Sequence, residues 1–92
     1  MTTIIITECK SQWGKYWHFK EKGTGKIFAE VDRTRKSVQG YDGYIIYAGS
    51  WPREVARHSK KDMALELAKQ SCRDQATGDI EFKKNVITIK EK

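Results

Sequence analysis

The feature that most constrains the fold is a run of strand-forming sequence that fills the first half of the chain. Residues 2–9 are β-branched almost throughout, and such side chains lose χ1 freedom in a helix, so this segment is predicted to be a strand. Between Trp13 and Lys20, Trp13, Trp17 and Phe19 fall in the same phase of a two-residue alternation, which is the period of a second strand. The glycine-bearing segment 22–26 predicts a hairpin turn, residues 27–32 the returning strand, and residues 44–48 a fourth, central strand.

One segment near residue 60 has helical periodicity. Ser59 is a good N-cap, Asp62 follows three residues later, and small or apolar residues then recur at helical spacing. These residues are Met63, Ala64, Leu67, Ala68, Ser71 and Cys72. The signals together predict a helix from about Lys60 to about Asp74.

Two segments allow more than one interpretation. Pro52 suits a first helical turn, whereas the apolar residues after it suit an edge strand, so residues 51–58 are interpreted as a loop or a short turn. Residues 80–90 return to strand-forming sequence, and the pair Lys84 and Asn85 is a point at which this stretch can divide into a small hairpin.

These elements predict an α+β fold in a single domain that spans residues 1–92. We expect a mainly antiparallel sheet of four to five strands with one helix packed on one face, in the order β-β-β-β-α-β. Because one helix covers one face of a sheet, the other face must meet water, a ligand or a second copy of the chain in a homodimer. The sequence has neither a long apolar run nor a signal-peptide pattern, so we expect a cytoplasmic protein without membrane contact.

The net charge of +6 is distributed unevenly along the chain. Residues 1–30 contribute +2 and residues 31–61 contribute +4, whereas residues 62–92 are neutral. In the positive part, aromatic residues are interleaved with lysines between Trp13 and Lys20. On an open sheet face, aromatic rings stack on bases while lysine and arginine neutralise phosphates.

We therefore predict a small basic binding module that binds DNA or RNA and performs no catalysis. The residues predicted to contact phosphates are Lys15, Lys20, Lys22, Lys26, Arg33, Arg35, Lys36, Arg57, Lys60 and Lys61. The residues predicted to contact bases are Tyr16 and His18, together with Trp17 or Trp51. An alternative for the aromatic strand is that Trp13, Trp17 and Phe19 point beneath the helix and form the core.

The start of the helix adds a further signal for phosphate binding. Lys60 and Lys61 follow Ser59 at a point where free backbone amides and the helix dipole favour an anion. Residues 57–64 resemble the opening of the last helix in double-stranded-RNA-binding domains, although Ala64 stands where that family usually has another lysine. The resemblance implies that the two lysines contact phosphates.

A second class of function fits the same composition. Tryptophan, tyrosine and arginine are also the usual anchors of protein interfaces. The chain is therefore also compatible with a protein-binding regulator or inhibitor that docks its basic face on an acidic protein surface. A virus- or plasmid-encoded effector is an example of such a module.

The motifs of catalysis and cofactor binding are incomplete in this sequence. Residues 23–26 lack the glycine spacing and the Ser or Thr after the lysine that a phosphate-binding loop requires. The two cysteines and two histidines include no close pair of the kind that structural zinc sites use, and Cys9 and Cys72 are expected to be reduced thiols. Glu30 and Asp32 are interpreted as charge partners of neighbouring strands. We expect neither a cofactor nor a metal.

Overall fold

In a computed structural model, the described residues are 2–12, 14–35, 40–49, 53–75 and 78–90, and across them the chain forms seven strands and one helix. The strands are β1 (Thr2–Ser11), β2 (Gly14–Glu21), β3 (Ile27–Thr34), β4 (Gly43–Ala48), β5 (Arg53–His58), β6 (Asp79–Lys83) and β7 (Val86–Lys90), and the helix is α1 (Lys61–Gln75), between β5 and β6. This confirms the predicted α+β class with one helix and an antiparallel sheet, whereas the predicted number of four to five strands is wrong.

All seven strands belong to one antiparallel sheet with the order β5-β4-β3-β2-β1-β7-β6. β7 pairs with residues 2–5 of β1, and one further hydrogen bond joins the Ile6 N–H to the carbonyl of Asn85 at 2.9 Å. Residues 7–11 of β1 pair with β2 on one side, and no strand in the described part of the chain lies on their other side. Residues 7–11 of β1 therefore form an edge of the sheet among the described strands, although β1 is fifth in the order of seven strands.

The additional strands come from segments with weak periodicity. β5 is an edge strand and is exposed along most of its length, so burial imposes no alternation on its sequence. The prediction of a loop or short turn is therefore wrong for residues 53–58. Lys84 and Asn85 do divide the last strand-forming stretch, into the hairpin of β6 and β7. The helix begins and ends within one residue of the predicted positions.

The core lies between α1 and one face of the sheet. The fully buried positions of the helix are Ala64, Ala68 and Cys72. Their four-residue spacing puts them on one face of the helix, and their small size lets it approach the sheet closely. Phe19 is fully buried and Trp17 is only 6% exposed, so both rings belong to the core. Trp13 lies outside the described residues.

The side chains of opposite phase on each strand point away from α1, and we call this surface the uncovered face. On three adjacent strands it presents Tyr16 and His18 of β2, Glu30 and Asp32 of β3, and Ile45 and Tyr47 of β4. In the ladder, Tyr16 lies opposite Asp32 and His18 opposite Glu30. Titratable groups therefore converge at the centre of this face.

Candidate nucleic-acid interface

The antiparallel topology brings many of the predicted phosphate contacts to one end of the molecule. β1, β3 and β5 end where β2 and β4 begin, and α1 starts directly after β5. The basic end, as we define it, consists of Lys10, Lys15, Arg33, Arg35, Lys60 and Lys61. Five of these six residues are exposed, and Arg33 is partly buried. Cations that are distant in sequence thus share one surface.

Arg33 is held in place at this end by hydrogen bonds, an ion pair and a ring contact. Its Nη1 donates to the carbonyl of Gly43 at 3.0 Å and to the carbonyl of Thr34, and its Nη2 lies 2.9 Å from Oδ1 of Asp42. The guanidinium also lies over the ring of Tyr44, 5.4 Å from its centroid. Arg33 therefore ties the end of β3 to the start of β4, and about a third of its side chain remains exposed.

Trp17 lies beneath the basic end rather than on its surface. The Nζ atom of Lys61 is 5.8 Å from the centroid of the Trp17 ring, and the Tyr44 ring is tilted against it at the same separation. With 6% of its surface exposed, Trp17 has no face available for stacking on a base. Instead, the Trp17 ring packs in the core and contacts the ammonium group of Lys61.

Other residues predicted as phosphate contacts lie elsewhere. Lys20, Lys22 and Lys26 surround the β2–β3 turn at the opposite end of β2, a strand whose eight residues span roughly 24 Å. Arg57 lies on the uncovered face, where its Nε is 2.6 Å from Oε2 of Glu54. Lys36 and Trp51, both predicted as contacts, lie outside the described residues. Among the described residues, the predicted phosphate contacts are therefore divided between the two ends of β2 and the uncovered face.

Lys10 belongs to the basic end but was not predicted from the sequence. It lies directly opposite Lys15 in the β1–β2 ladder, because the register pairs Ser11 with Gly14. The strand was predicted to end at Cys9, which left Lys10 outside it. The signal that could have predicted the pairing of Lys10 with Lys15 is the short spacing between Ser11 and Gly14, which is typical of a tight hairpin.

Glu30 and Asp32, the two carboxyl groups of β3 on the uncovered face, form no ion pair with another described residue. His18 and Tyr47 are opposite Glu30 in the ladder, and Tyr16 is opposite Asp32. The interpretation of the two acids as charge partners of neighbouring strands is therefore wrong. Burial, followed by the hydrogen bond and the charge of Glu30, raises the pKa of Asp32 to about 7.

A cavity of about 270 Å³ opens on the uncovered face beside the basic end. Its lining includes Tyr16, Asp32, Thr34, Arg35, Ile45 and Tyr47. Oδ1 of Asp32 and Oγ1 of Thr34 are buried and have no hydrogen-bond partner among the described residues. A second cavity, of about 320 Å³, continues past Asp32 and Tyr47 toward the start of β3. Burial and the nearby carboxyl groups, with Asp32 first, raise the pKa of Tyr47.

Cys9 and His18 lie side by side on the same face. The Sγ atom is 3.8 Å from Nε2 and 3.9 Å from Nδ1 of the imidazole ring, within hydrogen-bond distance for sulfur. Both cysteines are free thiols, and burial raises the pKa of Cys72 to about 12. Within the described ranges, no group of three or more His, Cys, Asp or Glu residues has the arrangement to hold a metal ion.

The Asp32 carboxyl group predicts a pH dependence of stability. Because its folded pKa is about 7 and its ordinary value is 3.8, the folded state binds the proton more tightly, so the free energy of unfolding falls as the pH rises through this range. Asp32→Asn is expected to be more stable than the parent protein at about pH 8, with a difference that shrinks toward about pH 5, measured by urea unfolding. Asp79→Asn, at an exposed site on β6, is the control. If the difference in unfolding free energy between Asp32→Asn and the parent protein stayed constant with pH, it would contradict the raised pKa of Asp32.

Comparisons with other proteins leave the fold and the site to be interpreted from the molecule itself. No model of a protein family, no curated protein sequence and no solved structure gave a significant match to this chain. None of the helical residues described is part of a helix long and apolar enough to cross a membrane.

Proposed function

We propose that this domain binds the phosphate backbone of a nucleic acid through its basic end. The observation that carries the proposal is the convergence of exposed cations from β1, β2, the end of β3 and the start of α1. Lys10, Arg35, Lys60 and Lys61 form no ion pair with any described residue, and Lys15 has only a 4.0 Å contact with Glu8. Their charges are therefore free to release counterions from a nucleic acid.

The same geometry suits backbone contacts better than stacking on the aromatic strand. Lysine side chains adapt to phosphate positions, and the positive end of the helix dipole adds to their field. The Lys60 N–H already donates to Nδ1 of His58 at 3.0 Å, so the lysine side chains, rather than this amide, supply the contacts. Phosphate contacts of this kind fix orientation without reading sequence.

Two triple variants with equal charge change test the proposal. We expect Lys10→Gln, Lys15→Gln and Lys60→Gln together to weaken binding of a single-stranded oligomer at least tenfold, and to make the slope of log affinity against log salt shallower by roughly 2 to 3. The matched control combines Lys20→Gln, Lys22→Gln and Lys26→Gln at the opposite end of β2, and it should retain most of the affinity. Binding is measured by fluorescence anisotropy between about 50 and 200 mM salt.

The outcomes separate the two classes of partner. Equal losses in both triple variants would mean that only net charge matters and would refute a localised site. Absence of binding to any oligomer, together with tight binding to polyglutamate, would favour docking on an acidic protein surface through the same lysines. Retention of a protein partner after nuclease treatment would point the same way.

A further inference from the structure

Two buried polar atoms that line the cavity on the uncovered face have no hydrogen-bond partner among the described residues. Thr34 is only 5% exposed, yet its Oγ1 has no partner in the described part of the chain, and the same holds for Oδ1 of Asp32. Leaving a buried polar group unpaired destabilises a fold, so each such group is expected to find a partner in a bound water, an ion or a ligand. Both residues line the same cavity.

The surroundings of these two atoms define what would fit between them. Asp32 and Thr34 are two residues apart on β3, so their side chains share a face at a separation of roughly 7 Å. Tyr16 lies opposite Asp32 on β2, and Tyr47 lines the cavity from β4. The cavity therefore combines a hydrogen-bonding wall with two aromatic rings.

The rim of the cavity is cationic. Lys15 and Arg35 line it and also belong to the basic end, so the two sites are continuous. Above about pH 7, where Asp32 is charged, a free organic cation would suit Asp32 but would be repelled by this rim, whereas a simple anion would suit the rim but would be repelled by Asp32. The lining is matched by a ligand with N–H donors at one end and a phosphate at the other.

We propose that this cavity takes one unpaired nucleobase that carries an exocyclic amino group. The amino group donates to Oδ1 of Asp32, the hydroxyl of Thr34 bonds to an acceptor on the base edge, and the ring packs beside Tyr16 or Tyr47. The phosphates attached to that base lie on Lys15 and Arg35. The inference rests on the proposed function and narrows it to single-stranded nucleic acid, because a base in a duplex is stacked and paired.

Three oligomers of about 12 nucleotides with the same phosphates but different bases test the inference. They are oligo(dC), oligo(dT), which lacks the amino group, and an oligomer of abasic sites. For the parent protein we expect oligo(dC) to bind about tenfold more tightly than the abasic strand, with oligo(dT) in between. Thr34→Val and Asp32→Val should each bring oligo(dC) close to the oligo(dT) affinity of the parent protein.

Matched controls separate base recognition from folding. Thr88→Val makes the same change on the same uncovered face, beyond β1, and should leave the preference for oligo(dC) intact. Thr34→Val removes an unpaired buried hydroxyl, so its melting temperature should equal or exceed that of the parent protein. Loss of preference in a fully folded Thr34→Val protein then reports on the cavity alone.

A nucleoside without phosphate makes the two proposals distinguishable. Titration with cytidine should shift the backbone amide signals of Thr34, Ile45 and Tyr47 in NMR spectra. Equal affinity for oligo(dC) and the abasic strand, without such shifts, would overturn base recognition and leave backbone binding intact. Cytidine shifts without binding of any oligomer would support the cavity and overturn the proposed function. Absence of both effects would overturn both.

Discussion

Replacing Phe19 with alanine is expected to lower the free energy of unfolding by about 3 to 5 kcal/mol. The Phe19 ring is fully buried at the centre of the sheet, where Ile6 and Ala29 lie opposite it on the two neighbouring strands. Truncation removes this apolar contact and leaves a cavity that an antiparallel sheet under a helix cannot close. A domain of this size has a total stability of roughly 5 to 15 kcal/mol, so the loss is a large part of the whole.

Equilibrium unfolding in urea, followed by far-UV circular dichroism, measures this loss. Tyr16→Ala is the matched control, because it truncates an aromatic ring on the opposite face of the same strand, where the ring is only partly buried. Its expected loss is less than half as large. Similar losses for the two variants would mean that the helix does not select one face of β2 for the core.

Gly43→Ala is expected to destabilise the fold by about 1 to 3 kcal/mol or more, because the site has no room for a side chain. A Cβ atom there would lie 2.8 Å from the carbonyl oxygen of His58, 2.8 Å from Cε1 of Tyr41 and 3.1 Å from Cα of Ser59. Two of these three atoms belong to the backbone that leads from β5 into α1. The substitution must therefore displace the start of the helix or the start of β4.

A double variant distinguishes the two kinds of collision. Tyr41→Ala removes the side-chain contact but not the contact with the backbone of His58, so it should restore only part of the stability lost in Gly43→Ala. Thermal unfolding of the two single variants and the double variant gives the comparison. A melting temperature for Gly43→Ala equal to that of the parent protein would show that β4 and β5 are farther apart at this point than described.

The parts of the fold that the sequence predicts are those where burial imposes a pattern. The hairpin of β2 and β3 was predicted because Trp17 and Phe19 alternate with polar residues above a buried face, and its turn has glycines at positive φ, 100° at Gly23 and 76° at Gly25. The helix was predicted because Ala64, Ala68 and Cys72 repeat at its period. β5 is mostly exposed, so its pairing with β4 imposes no alternation of apolar and polar residues on its sequence.

The candidate site depended on register, which the sequence does not display. Asp32 and Thr34 are ordinary strand residues until β2 and β4 are aligned beside them and close a cavity around their polar atoms. In the same way, the basic segments looked continuous along the chain, but strand reversal sent Lys22 and Lys26 to one end and Arg33 and Arg35 to the other. Charge in a sequence predicts a partner class, whereas the arrangement of the strands decides where charges meet.

Residues 7–11 of β1, which do not pair with β7, affect how the molecule behaves in a crowded solution. Unpaired backbone on an exposed edge can recruit a strand from another chain, and charged residues are a common protection against such growth. Glu8 and Lys10 stand on this edge in the partly exposed stretch 7–11. Lys10 therefore puts a positive charge on the open edge of β1, where a charged side chain opposes extension of the sheet by a neighbouring copy.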